Sequence, residues 1–268
     1  MRNPFQKLML TGAGRHGPVV VMYHSVSQAE RNPDWPWAVS VRQFRENLDL
    51  LGEAGYAVVA VRDLAKMPER RPARTVAITF DDGYVDNLAA CEELASRGMR
   101  ATWFVVSGSV GREPAWPEDG RPAGRLLDAS ELRALLGAGM EIGSHSVSHV
   151  RLTTVGDAQL RQELVDSKAM LEDVIGDEVV TFAYPYGDWD ERCEAAVREA
   201  GYRYACTTVT GWALRDVNPY RLRRLTVFND DDLGRFARKL AFGSHDVGWG
   251  QLIGYWGRRL QARVAGRP

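Results

Sequence analysis

Short apolar runs alternate with helical patterns along almost the whole chain, and this alternation limits the fold more than any other feature. Residues 18–23 (PVVVMY), 57–61, 75–80, 101–106, 140–143, 179–183, 204–207 and 224–227 read as strands. Between and after them, 41–54, 87–97, 130–138, 157–175, 190–200 and 231–240 read as helices. The first helix puts Phe44, Leu48 and Leu51 on one face, and Ser130 is the expected N-cap of the third. Brief strands separated by helices argue for βα units and a parallel sheet, because parallel neighbours need a long crossover. This many units in 268 residues fits a closed or nearly closed barrel better than an open sheet. No internal repeat or domain boundary is visible. The Gly- and Pro-rich stretch 108–128 reads as a long loop on the barrel rim, and the whole of 1–268 as one domain with its core at about 18–228.

Composition narrows the function. With 45% apolar and 26% charged residues the chain can bury a real core. A net charge of −1 leaves no basic footprint for nucleic acid. Cys91, Cys193 and Cys206 are odd in number and form no CxxC pair, so a reducing compartment is the simpler expectation. No apolar run approaches the ~18 residues of a membrane span. The N-terminal MRNPFQKLMLTGAGRHG has no sustained apolar region, so no secretory signal is expected and the cytoplasm is the expected location.

The candidate chemistry gathers at strand ends, which line the functional face of parallel α/β folds. The run VAITF ends in Asp81 and Asp82. Side chains of neighbouring residues there point apart, so one carboxylate can hold an ion while the other takes a proton. In isolation Asp-Asp-Gly also fits a turn. His145 and His149, two of only five histidines, lie four residues apart beyond another strand end. One Asp with two His is a three-ligand set with open positions. Zn²⁺ suits it, and so do Co²⁺, Ni²⁺, Mn²⁺ and Fe²⁺. Tyr184-Pro185-Tyr186-Gly187 should turn sharply and can aim a backbone N–H into the site. His24 ends the first strand.

TFDDG at 79–83, HSVSH at 145–149 and AYPYG at 183–187 resemble, in order and spacing, the motifs of the polysaccharide deacetylase family, the NodB-homology group of carbohydrate esterases (family 4). The resemblance spans roughly residues 19–227. It implies an α/β fold, a distorted, incomplete (β/α) barrel of about seven parallel strands. It also implies a metal-dependent hydrolase that removes N- or O-acetyl groups from sugars. By analogy Asp81 is the general base, Asp82, His145 and His149 hold the divalent metal, a water on that metal is the nucleophile, and the Tyr186 backbone N–H serves the oxyanion. The family's usual late Leu-x-His is missing. MYHSV resembles instead the branch acting on poly-β-1,6-N-acetylglucosamine, which implies His24 as general acid, with His245 the weaker candidate. The Arg that usually opens the third motif is replaced by Ala183, and Arg221, Arg223 or Arg224 is expected to substitute.

Sugar-facing aromatics are sought in Trp35, Trp37, Trp116 and Trp189, with Trp189 favoured because it follows the third motif. Asn87 reads as polarity at a helix start. The basic, aromatic tail 236–268 closes the barrel bottom or, as the second choice, seats the protein on the inner face of an anionic membrane. The expected partner is an acetylated amino-sugar glycan or its lipid-linked precursor, consistent with exopolysaccharide biosynthesis. Two other functions fit the same residues: hydrolysis of another amide such as a cyclic ureide or imide, and glycan binding without catalysis. A binding-only homologue would be expected to have lost ligands or base, and Asp81, Asp82, His145 and His149 are all present.

Overall fold

The structure is a computed structural model that describes residues 17–29, 31–66, 74–117, 120–121 and 123–247. The first strands are β1 (Val19–Tyr23), β2 (Ser25–Ser27) and β3 (Ala38–Ser40), followed by helix α1 (Val41–Glu53). Then come β4 (Ala57–Val59), α2 (Val61–Lys66), β5 (Thr75–Phe80), α3 (Leu88–Ser96) and β6 (Thr102–Val105). The second half runs α4 (Ala129–Gly137), β7 (Glu141–Ser144), α5 (Asp157–Ile175), β8 (Thr181–Ala183), α6 (Glu191–Glu199), β9 (Tyr204–Cys206), β10 (Leu225–Thr226) and α7 (Leu233–Phe242).

The main sheet follows the order β10-β1-β5-β6-β7-β8-β9, and every pairing is parallel. β1 covers one whole edge of β5, from Val19↔Val76 to Tyr23↔Phe80. β4 and β6 therefore share the other edge, β4 at Thr75–Ala77 and β6 at Thr79–Phe80. The sheet curls into an incomplete barrel, and across the gap between its end strands the described residues carry a parallel bridge from Cys206 to Leu222. All residues of β1 and β5 are buried, because helices cover one face and the barrel interior the other. That is why these strands read as mostly apolar runs rather than alternating ones.

Helix boundaries follow local caps. Ser40 accepts from the Gln43 N–H, and α1 buries Phe44, Leu48 and Leu51 as its spacing requires. The cap of α4 is Asp128 rather than Ser130. The Asp128 carboxylate accepts from the Ser130 and Glu131 N–H groups, and Glu131 reaches back to the Asp128 N–H, a reciprocal pair that Ser130 cannot offer. Residues 57–61 are not one strand, since α2 already begins at Val61, whose N–H is held by the Thr102 hydroxyl. The small sheet β2–β3 has no counterpart among the expected strands. The three cysteines are buried and unpaired. Among the described residues no helix is long and apolar enough to cross a membrane. Most of the basic, aromatic tail, residues 248–268, lies outside the described residues, while its start forms α7.

Candidate functional site

The parallel order of the sheet brings the ends of six strands to one face. His24 follows β1, Asp81 and Asp82 follow β5, His145 follows β7, Tyr184 and Tyr186 follow β8, Thr208 lies beyond β9, and Thr226 ends β10. All of these line one cavity of about 380 Å³, together with Met22, Trp37, Arg151 and Gly187. The residues expected to hold the metal or act in catalysis, His24, Asp81, Asp82, His145, His149 and Tyr186, all line it.

The backbone is unusual here. Five non-glycine residues among those described have positive φ: Asp82 (71°), Ser146 (66°), His149 (58°), Tyr186 (59°) and Val217 (52°). Each left-handed residue costs roughly 1–2 kcal/mol, and four of the five belong to this site. The surroundings hold the strained turns in place. The Ser146 hydroxyl accepts from the His149 N–H at 3.0 Å. Between the two histidines, the Val147 and Ser148 N–H groups donate to the buried Glu163 carboxylate from α5, each at 2.9 Å. At the third motif, a Cβ on Gly187 (φ 72°) would fall 1.9 Å from the Thr208 hydroxyl, so only glycine lets the turn close against the β9 end.

Asp82, His145 and His149 are buried, and one ligand atom from each lies within 4.8 Å of the others. Asp82 Oδ1 is 3.5 Å from His145 Nε2 and 3.3 Å from His149 Nε2. No donor hydrogen-bonds to that oxygen, although it is buried. His145 Nδ1 sits 2.8 Å from the Ala183 carbonyl oxygen. A carbonyl only accepts, so Nδ1 carries the proton and the Nε2 lone pair faces Asp82. Burial, outweighing the pull of Asp81, pushes the His145 ring down to about 4, which keeps it neutral near pH 7. Burial raises the Asp82 carboxyl, but the facing imidazole of His149, with a smaller pull from His24, more than offsets this and holds it well below the usual carboxylate range. A buried anionic oxygen converging with two imidazoles calls for a positive charge between them, and the donor set fits a divalent cation.

Asp81 has a different environment. Arg224, fully buried, grips it from two sides, Nη1 to Oδ1 at 2.6 Å and Nη2 to Oδ2 at 2.8 Å. The same guanidinium donates Nε to the Thr207 carbonyl at 2.9 Å. Burial tends to raise the Asp81 carboxyl, and the Arg224 charge takes it below its ordinary value. Of the three arginines considered from sequence, Arg224 alone is recorded in contact with Asp81. Arg221 pairs with Glu194, and Arg223 with Asp216.

The aromatics divide differently from expectation. Trp37 lines the cavity, whereas Trp189 packs against the core under the Arg221 guanidinium at 4.2 Å. Trp35 and Trp116 are buried in a satellite cluster with Tyr84 and Leu126, and the Trp116 ring lies 4.4 Å from that of His149. The loop 108–128 is thus folded inward at Trp116 and Leu126. At the cavity mouth Arg151 pairs with Asp188 and stacks on the Tyr186 ring at 4.1 Å.

His245 is occupied elsewhere. Its Nε2 accepts from the Thr226 N–H at 2.6 Å, and it does not line the cavity. Burial, reinforced by the Lys239 cation and only partly opposed by Asp231, pushes its ring from 6.5 down to about 4. Between those two values the unfolded chain binds a proton that the folded chain refuses, so stability falls as pH drops through that window. Urea midpoints should therefore decline from pH 7 to pH 4.5, and His245→Gln, which keeps an acceptor but cannot titrate, should reduce that decline. An unchanged pH slope in the variant would rule out His245 as its source.

Known proteins resemble this chain in sequence and in fold. The sequence model of the family described as polysaccharide deacetylase matches residues 69–205. YxkH of Bacillus subtilis (strain 168), whose name refers to a polysaccharide deacetylase, is 28% identical over 212 residues, 78% of this chain and 70% of that protein. The poly-beta-1,6-N-acetyl-D-glucosamine N-deacetylase of Staphylococcus aureus (strain MSSA476) is 23% identical over 208 residues, 72% of this chain and 69% of that one. The structure of IcaB from Ammonifex degensii superposes with a TM-score of 0.71 at 23% identity, over 85% of this chain and 97% of that one, which shows a shared fold.

Proposed function

The chain belongs to the polysaccharide deacetylase family, and on that premise we propose that it removes N-acetyl groups from an N-acetylglucosamine-containing glycan or its lipid-linked precursor, with a divalent metal, Zn²⁺ first, held by Asp82, His145 and His149. The observation that carries this reading is the buried, unpartnered Asp82 oxygen set between two imidazoles at the floor of a cavity reached by a second carboxylate.

A bound divalent cation supplies a Lewis acid for an acetyl carbonyl and lowers the pKa of a water. The protein's own groups do the rest. Asp81 accepts the attacking water's proton. Its low pKa keeps it ionised and ready, and the Arg224 grip fixes its two oxygens while leaving each a further lone pair. His24 gives a proton to the departing amine, which cannot leave as an anion. The Tyr186 backbone N–H, in a residue whose left-handed conformation (φ 59°) bends the chain sharply at the cavity, donates to the oxyanion. Trp37 and Tyr186 offer ring faces to the sugar.

Stripping the protein with a chelator should abolish acetate release from N-acetylglucosamine oligomers, and Zn²⁺, Co²⁺ or Ni²⁺ should restore it. Metal bound at one per chain without acetate release would redirect the search to other amides. A protein that takes up no metal under any condition would be a binding homologue, and the catalytic reading would fall.

A further inference from the structure

His24 is the single residue between β1, which ends at Tyr23, and β2, which begins at Ser25. It sits beyond the last paired position of β1, Tyr23↔Phe80, so its placement has to come from elsewhere. The source is the segment that follows the two aspartates. The fully buried Asn87 side chain makes no capping bond to α3, against the expectation of helix-start polarity. Its Nδ2 donates to the His24 carbonyl at 2.7 Å, and its Oδ1 accepts from the Val26 N–H at 3.0 Å. Next to it, Asp86 accepts from the Ser25 hydroxyl at 2.5 Å. Three successive residues, 24 to 26, are thus held by two successive residues, 86 and 87, and the Asp81 N–H holds the Tyr23 carbonyl at 2.9 Å just before them.

We propose that Asn87 is a positioning residue for proton transfer: by tying down the backbone from the His24 carbonyl to the Val26 N–H, while the Asp81 N–H holds the Tyr23 carbonyl on the other side, it sets where the imidazole stands relative to Asp81 and Asp82. The inference rests on the reading of His24 as general acid. Asn suits the task because one planar group must donate in one direction and accept in the other. Aspartate lacks the donor, and glutamine adds a methylene that a fully buried site has no room for. Loss of the side chain leaves a part-buried carbonyl and a buried N–H unpaired, and the segment has to shift to satisfy them.

The test uses leaving-group chemistry. An amine needs a proton to depart, whereas the phenolate of 4-nitrophenyl acetate leaves without one. In the Zn²⁺-loaded protein, Asn87→Ala should lower kcat for acetate release from an N-acetylglucosamine oligomer by about 10- to 100-fold. KM and zinc content should stay unchanged, and hydrolysis of the aryl ester should fall far less. His24→Ala should show the same selectivity with a deeper loss, about 10²- to 10⁴-fold on the oligomer. The double variant should be no slower than His24→Ala alone. In the metal-free protein, ¹⁵N-histidine spectra of Asn87→Ala should show the His24 ring displaced with His145 and His149 in place. Equal losses on both substrates, or losses that add in the double variant, would make Asn87 merely structural and overturn the inference. If His24→Ala deacetylates the oligomer at the wild-type rate, His24 is not the acid, and the inference falls with that reading. Should Asn87→Ala fail to fold, Asn87→Ser, which is neutral, adds no buried charge and cannot both donate to His24 and accept from Val26 as the planar amide does, carries the same comparisons.

Discussion

Asp82→Ala should lose both the bound metal and acetate release. Asp82 supplies the only negative charge in the Asp82–His145–His149 set, and its Oδ1 is the atom nearest both imidazole Nε2 atoms, at 3.5 and 3.3 Å. Two imidazoles remain, neither of them anionic, and that of His145 is held neutral down to about pH 4. The cation contributes several kcal/mol of transition-state stabilisation, so acetate release should drop by at least about 10³-fold. Thermal melts separate this from simple unfolding. Zn²⁺ at about 100 times its Kd should stabilise the wild type by about 2.7 kcal/mol and leave the variant unmoved. Asp82 is left-handed at φ 71°, where alanine is strained and asparagine is not, so Asp82→Asn provides a variant with the same deficit and less backbone cost. A variant that retains one zinc per chain with wild-type affinity would show that the cation sits elsewhere.

What the sequence reveals about this molecule depends on how far apart the interacting residues are. β1 and β5 are legible because both faces are covered, so Val19–Tyr23 and Thr75–Phe80 are mostly apolar, carry no charge and do not alternate. Knowing that strands are parallel also tells which ends matter, which draws attention to His24, Asp81, Asp82, His145 and the turn at Tyr186, while their separate roles were implied only by the resemblance of the motifs to a family. The start of α2 at Val61 is not legible, because the group that receives its N–H is Thr102, 41 residues away. The same holds for β2 and β3, whose three-residue runs pair only with each other. Ser130 was a plausible cap by composition, and Asp128 displaces it because Glu131 completes a reciprocal pair.

The supports of the site were the least visible. Glu163 lies mid-helix in α5, and nothing in its neighbourhood in the sequence announces that it holds the turn between His145 and His149. A buried glutamate in a helix that faces a two-histidine turn is a signal only once the helix has been docked. The local context of Asn87 signals only the start of a helix, whereas its bonds run to residues about 60 positions earlier. Trp37 and Trp189 were weighed by distance along the chain from the third motif. The fold reverses the order, because the β2–β3 connection carries Trp37 to the cavity while Arg221 covers Trp189.

Arg224→Met should destabilise the protein by about 3–5 kcal/mol, because it leaves a buried carboxylate with its principal counter-charge removed. Asp81 and Arg224 are both buried, 143 residues apart, and joined by two short hydrogen bonds. The guanidinium also donates to the Thr207 carbonyl, so its loss loosens the side of the barrel where β9 and β10 fail to pair. The pH dependence should reverse at Asp81. In the wild type the folded pKa lies below the ordinary 3.8, so the pair's contribution is present above that value and is lost as acid protonates Asp81. Without Arg224, burial dominates and the folded pKa rises, so the unfolded chain ionises first and the deficit of the variant grows as pH increases from 4 to 7. Urea denaturation of both proteins across that range measures the crossing slopes. Arg224→Lys keeps the charge but not the two-point grip, and should fall between them. The decisive variant is Arg224→Met with Asp81→Asn: with no buried charge left to strand, it should recover most of the lost stability and none of the activity. A double variant as unstable as the single one would mean that Arg224 acts through packing and the Thr207 bond. In that case the grip on Asp81 would not be what holds this side of the barrel together.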